Sequence, residues 1–185
     1  MKKISTLFKK DPNDLGRVIN EVDPENQWVI DGYSKPMRKW DGTAVAVIDG
    51  ELYRRYDAKH GKPAPVGGIP CQDPDPITGH WPHWIKCSRS NPADKYHFEG
   101  FDNYPCEDGT YELVGEKLQG NPDKIKGHVL IKHDTCPLEV LIYNYDWFNS
   151  LKDYLSKTDI EGIVFHHEKD GRMCKIRKTD FGIKR

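Results

Sequence analysis

One lysine stands in a short motif, Lys39-Trp40-Asp41-Gly42, immediately before an alternating apolar segment that begins at Thr43. A lysine amine is a nucleophile once it has lost its proton, and a rigid strand beside it would hold it in place. For a free lysine, pH 7 lies about 3.4 units below the pKa, a penalty of about 4.6 kcal/mol. Cationic neighbours or burial would lower that penalty. The motif therefore predicts that Lys39 is a nucleophile; the alternative is a solvated surface charge.

A β-hairpin is predicted over residues 43–56, with Asp49-Gly50 as its two-residue turn. In that register Arg55 shares a face with small residues, whereas Arg54 lies on the opposite face. The first face carries Gly42, Ala44, Ala46, Tyr53 and Arg55. Small side chains leave room for a flat ligand, so we expect Arg55 to reach a hydroxyl or phosphate group. The alternative is that both arginines are solvated, as exposed strand arginines commonly are.

Acidic residues occur in a strand predicted over residues 109–116, where Glu112 and Glu116 share a face. A further strand is predicted at His128–Lys132. The stretch Tyr145–Lys157 has helical spacing of its apolar residues, which indicates a helix with one buried side.

A second hairpin is predicted from residues 161–167 and 172–178. We expect a three-residue loop, Lys169-Asp170-Gly171, in which the glycine takes the left-handed position of a bulge. That loop length places one set of residues on a common face: Glu161, Ile163, Phe165, Lys175 and Arg177.

Three other segments are less regular. A short helix is predicted near Asp14–Glu21 and a short strand at Trp28–Ile30.

Residues 57–109, rich in Pro, Gly, His and Trp, are expected to form a long ordered loop with one strand near Trp84–Cys87. This loop contains four side chains of zinc-ligand type, but their spacing matches no common zinc site. They are Cys71, His80, His83 and Cys87. Its Trp and His residues would suit stacking on nucleic-acid bases, with packing within the loop as the alternative.

The composition sets broader limits. The chain of 185 residues is long enough for one domain with a core, and we expect a single domain over residues 1–185 with a basic segment at 1–27. No apolar run approaches membrane-spanning length and the N-terminus lacks a signal-peptide pattern, so a cytoplasmic protein without a membrane partner is expected. Five cysteines without close pairs fit reduced thiols. A net charge of −1 argues against a uniformly basic nucleic-acid binder but allows local basic patches.

Taken in order, these motifs resemble the covalent nucleotidyltransferase superfamily of DNA ligases, RNA ligases and capping guanylyltransferases. Within it the chain is most similar to the small 5′-to-3′ RNA ligase family that has a vertebrate member. The resemblance runs from about Trp28 to the C-terminus. The segments that carry it are Lys39-Trp40-Asp41-Gly42-Thr43, Gly109-Thr110-Tyr111-Glu112-Leu113-Val114-Gly115, Gly120-Asn121-Pro122, Ile160-Glu161-Gly162-Ile163-Val164, and Lys175-Ile176-Arg177-Lys178-Thr179-Asp180-Phe181-Gly182.

This resemblance implies an α+β nucleotidyltransferase (adenylation) domain, with two antiparallel β-sheets around a nucleotide cleft, a few flanking helices and no OB-fold domain. It implies that Lys39 attacks the α-phosphate of ATP and forms lysyl-AMP and pyrophosphate. Lys175 would contact the α-phosphate with help from Arg177. Met37 and Arg38, just before the lysine, would contact the nucleotide.

The remaining roles are also implied by the resemblance. Arg55 would contact the ribose or the phosphate of the nucleic-acid end. Glu161 would bind Mg²⁺ or Mn²⁺. Glu112 matches the third motif of the family, and both it and Glu116 are candidate metal ligands, with the choice between them left open by the strand faces.

Two departures favour the RNA ligase branch. Ala44 stands where DNA ligases carry an arginine, and the chain ends at Arg185 without the OB-fold of DNA ligases and capping enzymes. The expected protein is thus an ATP-dependent RNA ligase, acting as a monomer in RNA repair on RNA with 5′-phosphate and 3′-hydroxyl ends. The alternatives are a DNA ligase, a capping-type guanylyltransferase, or a non-catalytic module that binds nucleic-acid ends.

Overall fold

The computed structural model describes residues 3–59, 61–76 and 78–184. Its secondary structure is mixed α+β and dominated by strands, which confirms the predicted class at that level. The strands are β1 (Ser5–Thr6), β2 (Phe8–Asp11), β3 (Asp14–Val22), β4 (Ser34–Lys39), β5 (Thr43–Ile48), β6 (Glu51–Ala58), β7 (Ile69–Pro70), β8 (Trp81–Lys86), β9 (Gly109–Gly115), β10 (His128–Lys132), β11 (Gly162–His167) and β12 (Met173–Arg177). The helices are α1 (Gln27–Ile30), α2 (Lys95–Asp102) and α3 (Trp147–Ser156). None of these helices is long and apolar enough to cross a membrane.

The described residues form two compact units. Residues 41–133, with Lys3, form the first, which we call the inserted unit. Residues 4–40 and 134–184 form the second, the split unit, because its two segments flank the first in the sequence. Lys39 therefore belongs to the split unit and lies just before the chain enters the inserted one.

The inserted unit is built on a six-stranded antiparallel sheet in the order β10-β9-β5-β6-β8-β7. The β5–β6 hairpin has the predicted register, with Ile48 opposite Glu51. Both turn residues have positive φ, 52° at Asp49 and 73° at Gly50, as the favoured two-residue hairpin turn requires. Phe98 and Phe101 of α2 pack against the core of this unit. Its buried members are Val45, Val47, Leu52, Tyr111 and Leu113 of the strands, with Cys87 just after β8.

The split unit contains a four-stranded sheet in the order β1-β12-β11-β4 and a separate two-stranded sheet, β2-β3. β1 runs parallel to β12, so the prediction of purely antiparallel sheets is wrong at that edge. β11 is antiparallel to both of its neighbours. The core of the unit comprises Leu7, Phe8, Val18, Trp28, Val29, Leu151, Leu155, Ile160, Ile163, Phe165, Cys174 and Ile176. The predicted helix near 145–157 is confirmed as α3, whose apolar side packs into this core.

The helix predicted near Asp14–Glu21 is wrong, because this stretch is strand β3. Its apolar residues recur at helical spacing, but only Val18 is buried and Leu15 is 74% exposed. Pairing with β2, through register shifts, decides the conformation instead. The strand predicted at Trp28–Ile30 is also wrong: a preceding turn capped by the Asp23 carboxylate leads directly into the short helix α1.

The long segment 57–109 is more regular than predicted. Its strand begins at Trp81 and ends at Lys86, and it pairs with both β6 and β7. Helix α2 was not predicted at all. It follows a turn at Pro92–Asp94 that the Asn91 side chain caps.

The three-residue loop predicted for the second hairpin is wrong. His167 donates its backbone N–H to the Arg172 carbonyl at 2.9 Å, so four residues form the loop. The His167 ring accepts backbone hydrogen bonds from Lys169 and Asp170, which stabilises this longer turn. Val164 consequently lies opposite Lys175, and the predicted common face is split. Ile163 and Phe165 are on the core side with Cys174 and Ile176, whereas Lys175 and Arg177 are on the other side.

Candidate functional site

Lys39 is the last residue of β4, and its backbone is held from both sides. On one side Lys39 is opposite Gly162 of β11. On the other, the backbone N–H of Arg38 donates to the Cys136 carbonyl at 2.8 Å, within a bridge that joins Met37 to Pro137. The backbone position from which the Lys39 side chain starts is therefore fixed by its neighbours.

The Lys39 ammonium donates a hydrogen bond to a carboxylate. Its Nζ lies 2.5 Å from Oε2 of Glu161 and 3.4 Å from the Trp40 carbonyl. The two side chains of the ion pair are 21% and 18% exposed, so the pair is largely shielded from water but still accessible. Glu161 reaches the lysine because it precedes β11, where strand alternation does not yet fix its direction. Residues 122 positions apart in the sequence thus meet at one point.

Two further cations share the Lys39 face of the sheet. Gly162 is opposite Lys39 on one side and Arg177 on the other, and Lys175 is two residues from Arg177 on the same strand. Gly162 has no side chain to fill the position between Lys39 and Arg177. Glycine is required there, because a Cβ atom would lie 2.3 Å from the Ile176 carbonyl oxygen. The result is an open row across three strands with a cation at each end.

Charges around Lys175 oppose its protonation. Burial, followed by the nearby charges of Arg177 and Lys39, lowers the pKa of Lys175 from 10.5 to about 8, against the smaller opposing effects of Asp180 and Glu161. A cluster in which cations repel one another in this way favours a bound anion.

Arg177 is held in place by Asp180, whose side chain is fully buried. The Asp180 carboxylate accepts from the Arg177 backbone N–H at 2.9 Å and from its Nε and Nη2 at 3.2 and 3.0 Å. It also accepts from Lys10 Nζ at 2.7 Å. Burial alone would raise the pKa of Asp180, but the hydrogen bonds from Arg177 and Lys10 outweigh it and hold that pKa below its usual range.

Within the inserted unit, Glu112 is tied to the glycine of the lysine motif. Its Oε1 accepts from the Gly42 backbone N–H at 3.2 Å. Gly42 has to be glycine, since a Cβ atom would lie 2.1 Å from the Leu113 carbonyl oxygen of β9. Glu116 follows the end of β9 and is exposed. The two carboxylates that sequence could not separate therefore have different surroundings, and only Glu112 contacts the motif.

A histidine that the sequence analysis did not identify completes the surroundings of Glu112. Nε2 of His133 lies 3.2 Å from the Glu112 carboxylate, and its Nδ1 lies 2.9 Å from the Thr110 hydroxyl. The carboxylate is best satisfied by an Nε2–H donor, with Nδ1 accepting from the hydroxyl. His133 and Gly42 thus contact different oxygens of the Glu112 carboxylate.

The two arginines of β6 differ as the predicted register requires. Nε of Arg54 lies 3.0 Å from a carboxylate oxygen of Asp94, which is 1% exposed, so Arg54 has a structural partner. Arg55 lies on the opposite face, with Nε 3.0 Å from Asp57 and its guanidinium 5.6 Å from the Trp84 ring centre.

The split unit thus brings together Lys39, Glu161, Lys175 and Arg177. Met37 shares the Lys39 face and is buried, while Arg38 alternates to the other face, where its guanidinium lies 3.7 Å from the Trp40 ring centre. Arg55, Glu112 and Glu116 belong to the inserted unit.

Sequence patterns did not predict the contacts that Asp180 and Lys10 make beside Arg177. Asp180 follows Arg177 by three residues and accepts from its backbone N–H, a local contact over a short separation, although the residue types are not those of a capping-box sequence. Nothing in the sequence around Lys10 indicates its contact with a residue 170 positions away.

In the part of the chain that the structure describes, no three His, Cys, Asp or Glu side chains are grouped as a metal site would need. The suggested zinc ligands are accordingly not assembled, and His83 is buried with Nδ1 2.9 Å from the Trp81 carbonyl. A single carboxylate such as Glu161 is nevertheless the protein ligand set that Mg²⁺ commonly uses beside substrate phosphates. The five cysteines are free.

Comparisons of the sequence with protein-family models and with curated proteins found no match.

Proposed function

We propose that this protein is an ATP-dependent RNA ligase of the nucleotidyltransferase fold that works through a lysyl-AMP intermediate on Lys39. The observation that carries the proposal is the Lys39–Glu161 contact of 2.5 Å, on the sheet face that also holds Lys175 and Arg177. A shielded amine beside one carboxylate and two further cations is the combination that nucleophilic attack on a phosphate requires. A lone solvated lysine would have none of these neighbours.

In the first step, Nζ of Lys39 bonds to the α-phosphorus of ATP. The bond from that phosphorus to the bridging oxygen breaks, and pyrophosphate leaves with its electron pair while the amine gives up a proton. Lys175 and Arg177 stabilise the negative charge on the phosphate oxygens. The Glu161 carboxylate holds the amine before ATP binds and is placed to accept its proton.

The later steps are displacements of the same kind. The 5′-phosphate of RNA attacks the phosphorus of the lysyl phosphoramidate, the bond from that phosphorus to Nζ breaks, and the Lys39 nitrogen takes up a proton as it leaves. This frees Lys39 and forms an adenylylated 5′ end. The 3′-hydroxyl of a second end then attacks that 5′ phosphorus, loses its proton, and displaces AMP. Each step is an in-line displacement at phosphorus, so one set of cations serves all three.

Glu161 would hold Mg²⁺ or Mn²⁺ together with phosphate oxygens, since these cations favour one or two carboxylates plus substrate phosphates. When bound, the metal supplies charge neutralisation on the triphosphate. The roles of Arg55, Glu112 and Glu116 remain part of the proposal through the family resemblance alone. Of the two glutamates we propose Glu112, because it contacts the motif glycine.

The test is incubation with ATP and Mg²⁺ followed by intact-mass measurement. The wild type should gain the mass of one AMP, and Lys39→Ala should gain nothing. Lys35→Ala is the matched control, because Lys35 lies on the same strand and the same face but opposite His166. It should form the adduct like the wild type. Chelation of the metal should abolish the adduct in the wild type and in Lys35→Ala.

Substrate choice separates the alternatives. Sealing of RNA carrying 5′-phosphate and 3′-hydroxyl ends, with ATP preferred to GTP, is the expected result. A covalent GMP adduct without sealing would identify a capping-type guanylyltransferase, and sealing of DNA alone a DNA ligase. Binding of RNA ends that is unchanged in Lys39→Ala, with no adduct in the wild type, would refute catalysis and identify an end-binding module.

A further inference from the structure

The buried carboxylate of Asp180 holds two cations from opposite parts of the chain. Lys10 comes from β2 and Arg177 from the end of β12. Both donate to the same carboxylate, at 2.7 Å from Lys10 and at 3.0 and 3.2 Å from the Arg177 guanidinium. A single negative charge is thus shared by two positive ones, which leaves an excess of positive charge at this position.

Lys10 retains donors for another partner. A lysine ammonium has three N–H donors, and the contact with Asp180 uses one of them. The side chain is 30% exposed, whereas Asp180 is completely buried. The Asp180 carboxylate therefore holds the Lys10 ammonium in place on its buried side, and the rest of the side chain remains partly exposed to solvent.

Lys39 and Arg177 lie in one row that crosses three strands of the sheet. Lys39 on β4, Gly162 on β11 and Arg177 on β12 form one row, and neighbouring strands lie about 4.8 Å apart. Arg177 is therefore about 10 Å from Lys39 along the row. Lys10 joins the row at its Arg177 end through Asp180, because β1, which precedes it, pairs with β12 at the far edge of the sheet.

The geometry of the first step determines on which side of the phosphorus the pyrophosphate leaves. In an in-line displacement the leaving group departs on the side of the phosphorus opposite the nucleophile. With Lys39 as the nucleophile, the leaving phosphates lie on the side of the α-phosphorus away from the Lys39 amine. Arg177 and Lys10 are at the end of the row away from Lys39, so they are the cations available to phosphates displaced along it.

We propose that Lys10, fixed by Asp180 beside Arg177, binds the β- and γ-phosphates of ATP and the pyrophosphate that leaves. This assignment rests on the proposed function. It gives the N-terminal hairpin β2–β3 a role in the adenylation step: Lys10 neutralises charge that develops on the departing pyrophosphate. Because the later steps release no pyrophosphate, Lys10 is dispensable for them.

The experiment compares Lys10→Met with Lys9→Met. Lys9 is the adjacent residue of the same hairpin, carries the same charge and pairs with Glu21, so it controls for charge and for hairpin stability. Single-turnover formation of lysyl-AMP is measured over a range of ATP concentrations. Lys10→Met should need about ten- to hundredfold more ATP, the effect of losing one charge-assisted hydrogen bond, while Lys9→Met stays within about twofold of the wild type.

Two further measurements make the assignment specific. The pyrophosphate concentration needed to reverse lysyl-AMP formation should rise by the same factor in Lys10→Met. The Lys10→Arg variant should form lysyl-AMP at ATP concentrations close to those of the wild type. Sealing of RNA that already carries a 5′-adenylate should be unchanged in Lys10→Met, which also shows that the variant is folded. Equal ATP dependence for Lys10→Met and Lys9→Met, or equal losses in adenylation and in sealing of adenylylated RNA, would overturn the assignment.

A second experiment tests the phosphate site separately if the proposed function itself is wrong. If the wild type forms no adduct, binding of tripolyphosphate is measured by calorimetry on the wild type and both methionine variants. Binding that is lost in Lys10→Met and kept in Lys9→Met supports the phosphate site without the ligase reaction. Binding that is the same in all three overturns the site as well.

Discussion

Replacing Lys175 by methionine is expected to stabilise the folded protein at neutral pH. In the folded state burial and the charges of Arg177 and Lys39 lower the pKa of Lys175 from 10.5 to about 8. Each pKa unit corresponds to 1.36 kcal/mol, so carrying this charge costs the fold about 3 kcal/mol. Methionine has a similar length and no charge, so the variant avoids that cost.

The sign of the pH dependence follows from proton binding. Below pH 8 Lys175 is protonated in both the folded and the unfolded chain, so the full penalty is present. Between about pH 8 and 10.5 the unfolded chain binds the proton and the folded chain does not, so stability rises with pH. The advantage of Lys175→Met should therefore be about 3 kcal/mol at pH 7 and should vanish as the pH approaches 10.5.

Urea unfolding followed by tryptophan fluorescence, at intervals from pH 7 to pH 10, measures this difference. Titration of groups that do not interact with Lys175 affects both proteins alike and cancels in the comparison. Lys152→Met, on the exposed side of α3, is the matched control and should show no pH-dependent difference from the wild type. A difference between Lys175→Met and the wild type that stays constant over this range, or grows with pH, would refute the electrostatic reasoning.

Three other predictions concern the inserted unit. Gly42→Ala should destabilise the protein by about 3 kcal/mol, since its Cβ atom would collide with backbone, whereas Gly50→Ala should cost only about 1 kcal/mol for its left-handed φ; urea midpoints compare the two. Arg54→Ala should cost about 3 kcal/mol, because a buried carboxylate loses its partner, while Arg55→Ala should cost less than about 1 kcal/mol; comparable losses in thermal unfolding would contradict this. If the proposed function holds, His133→Ala should slow lysyl-AMP formation about tenfold with an unchanged unfolding midpoint, as expected for one hydrogen bond to a carboxylate; a normal rate would exclude a positioning role.

Local signals in the sequence were sufficient for the first hairpin. Asp49-Gly50 admits the positive φ angles of a two-residue turn, and this fixes the register that separates Arg54 from Arg55. The second hairpin shows the limit of such signals. The sequence around Gly171 allows several loop lengths, and the length adopted depends on the His167 ring accepting backbone hydrogen bonds from the loop.

Periodicity failed where pairing with another strand decides the conformation. Residues 14–22 have helical spacing of apolar residues, yet they pair with β2. The face shared by Lys39, Lys175 and Arg177 depends on register between strands far apart in the sequence. The contact of Lys10 with Asp180 spans 170 positions, so no local rule could have revealed it.

The division of the chain into an insertion and its two flanking segments has a consequence for biosynthesis. On a ribosome β4 emerges before its sheet neighbour β11 and before β12, which pairs with β11; both are translated more than 120 residues later. Residues 41–133 form strand pairs among themselves and are therefore able to fold while translation continues. The amine of Lys39 consequently meets its carboxylate and its cationic neighbours only after residues 161–177 have been made, so the nascent chain carries this lysine in an unassembled setting until then.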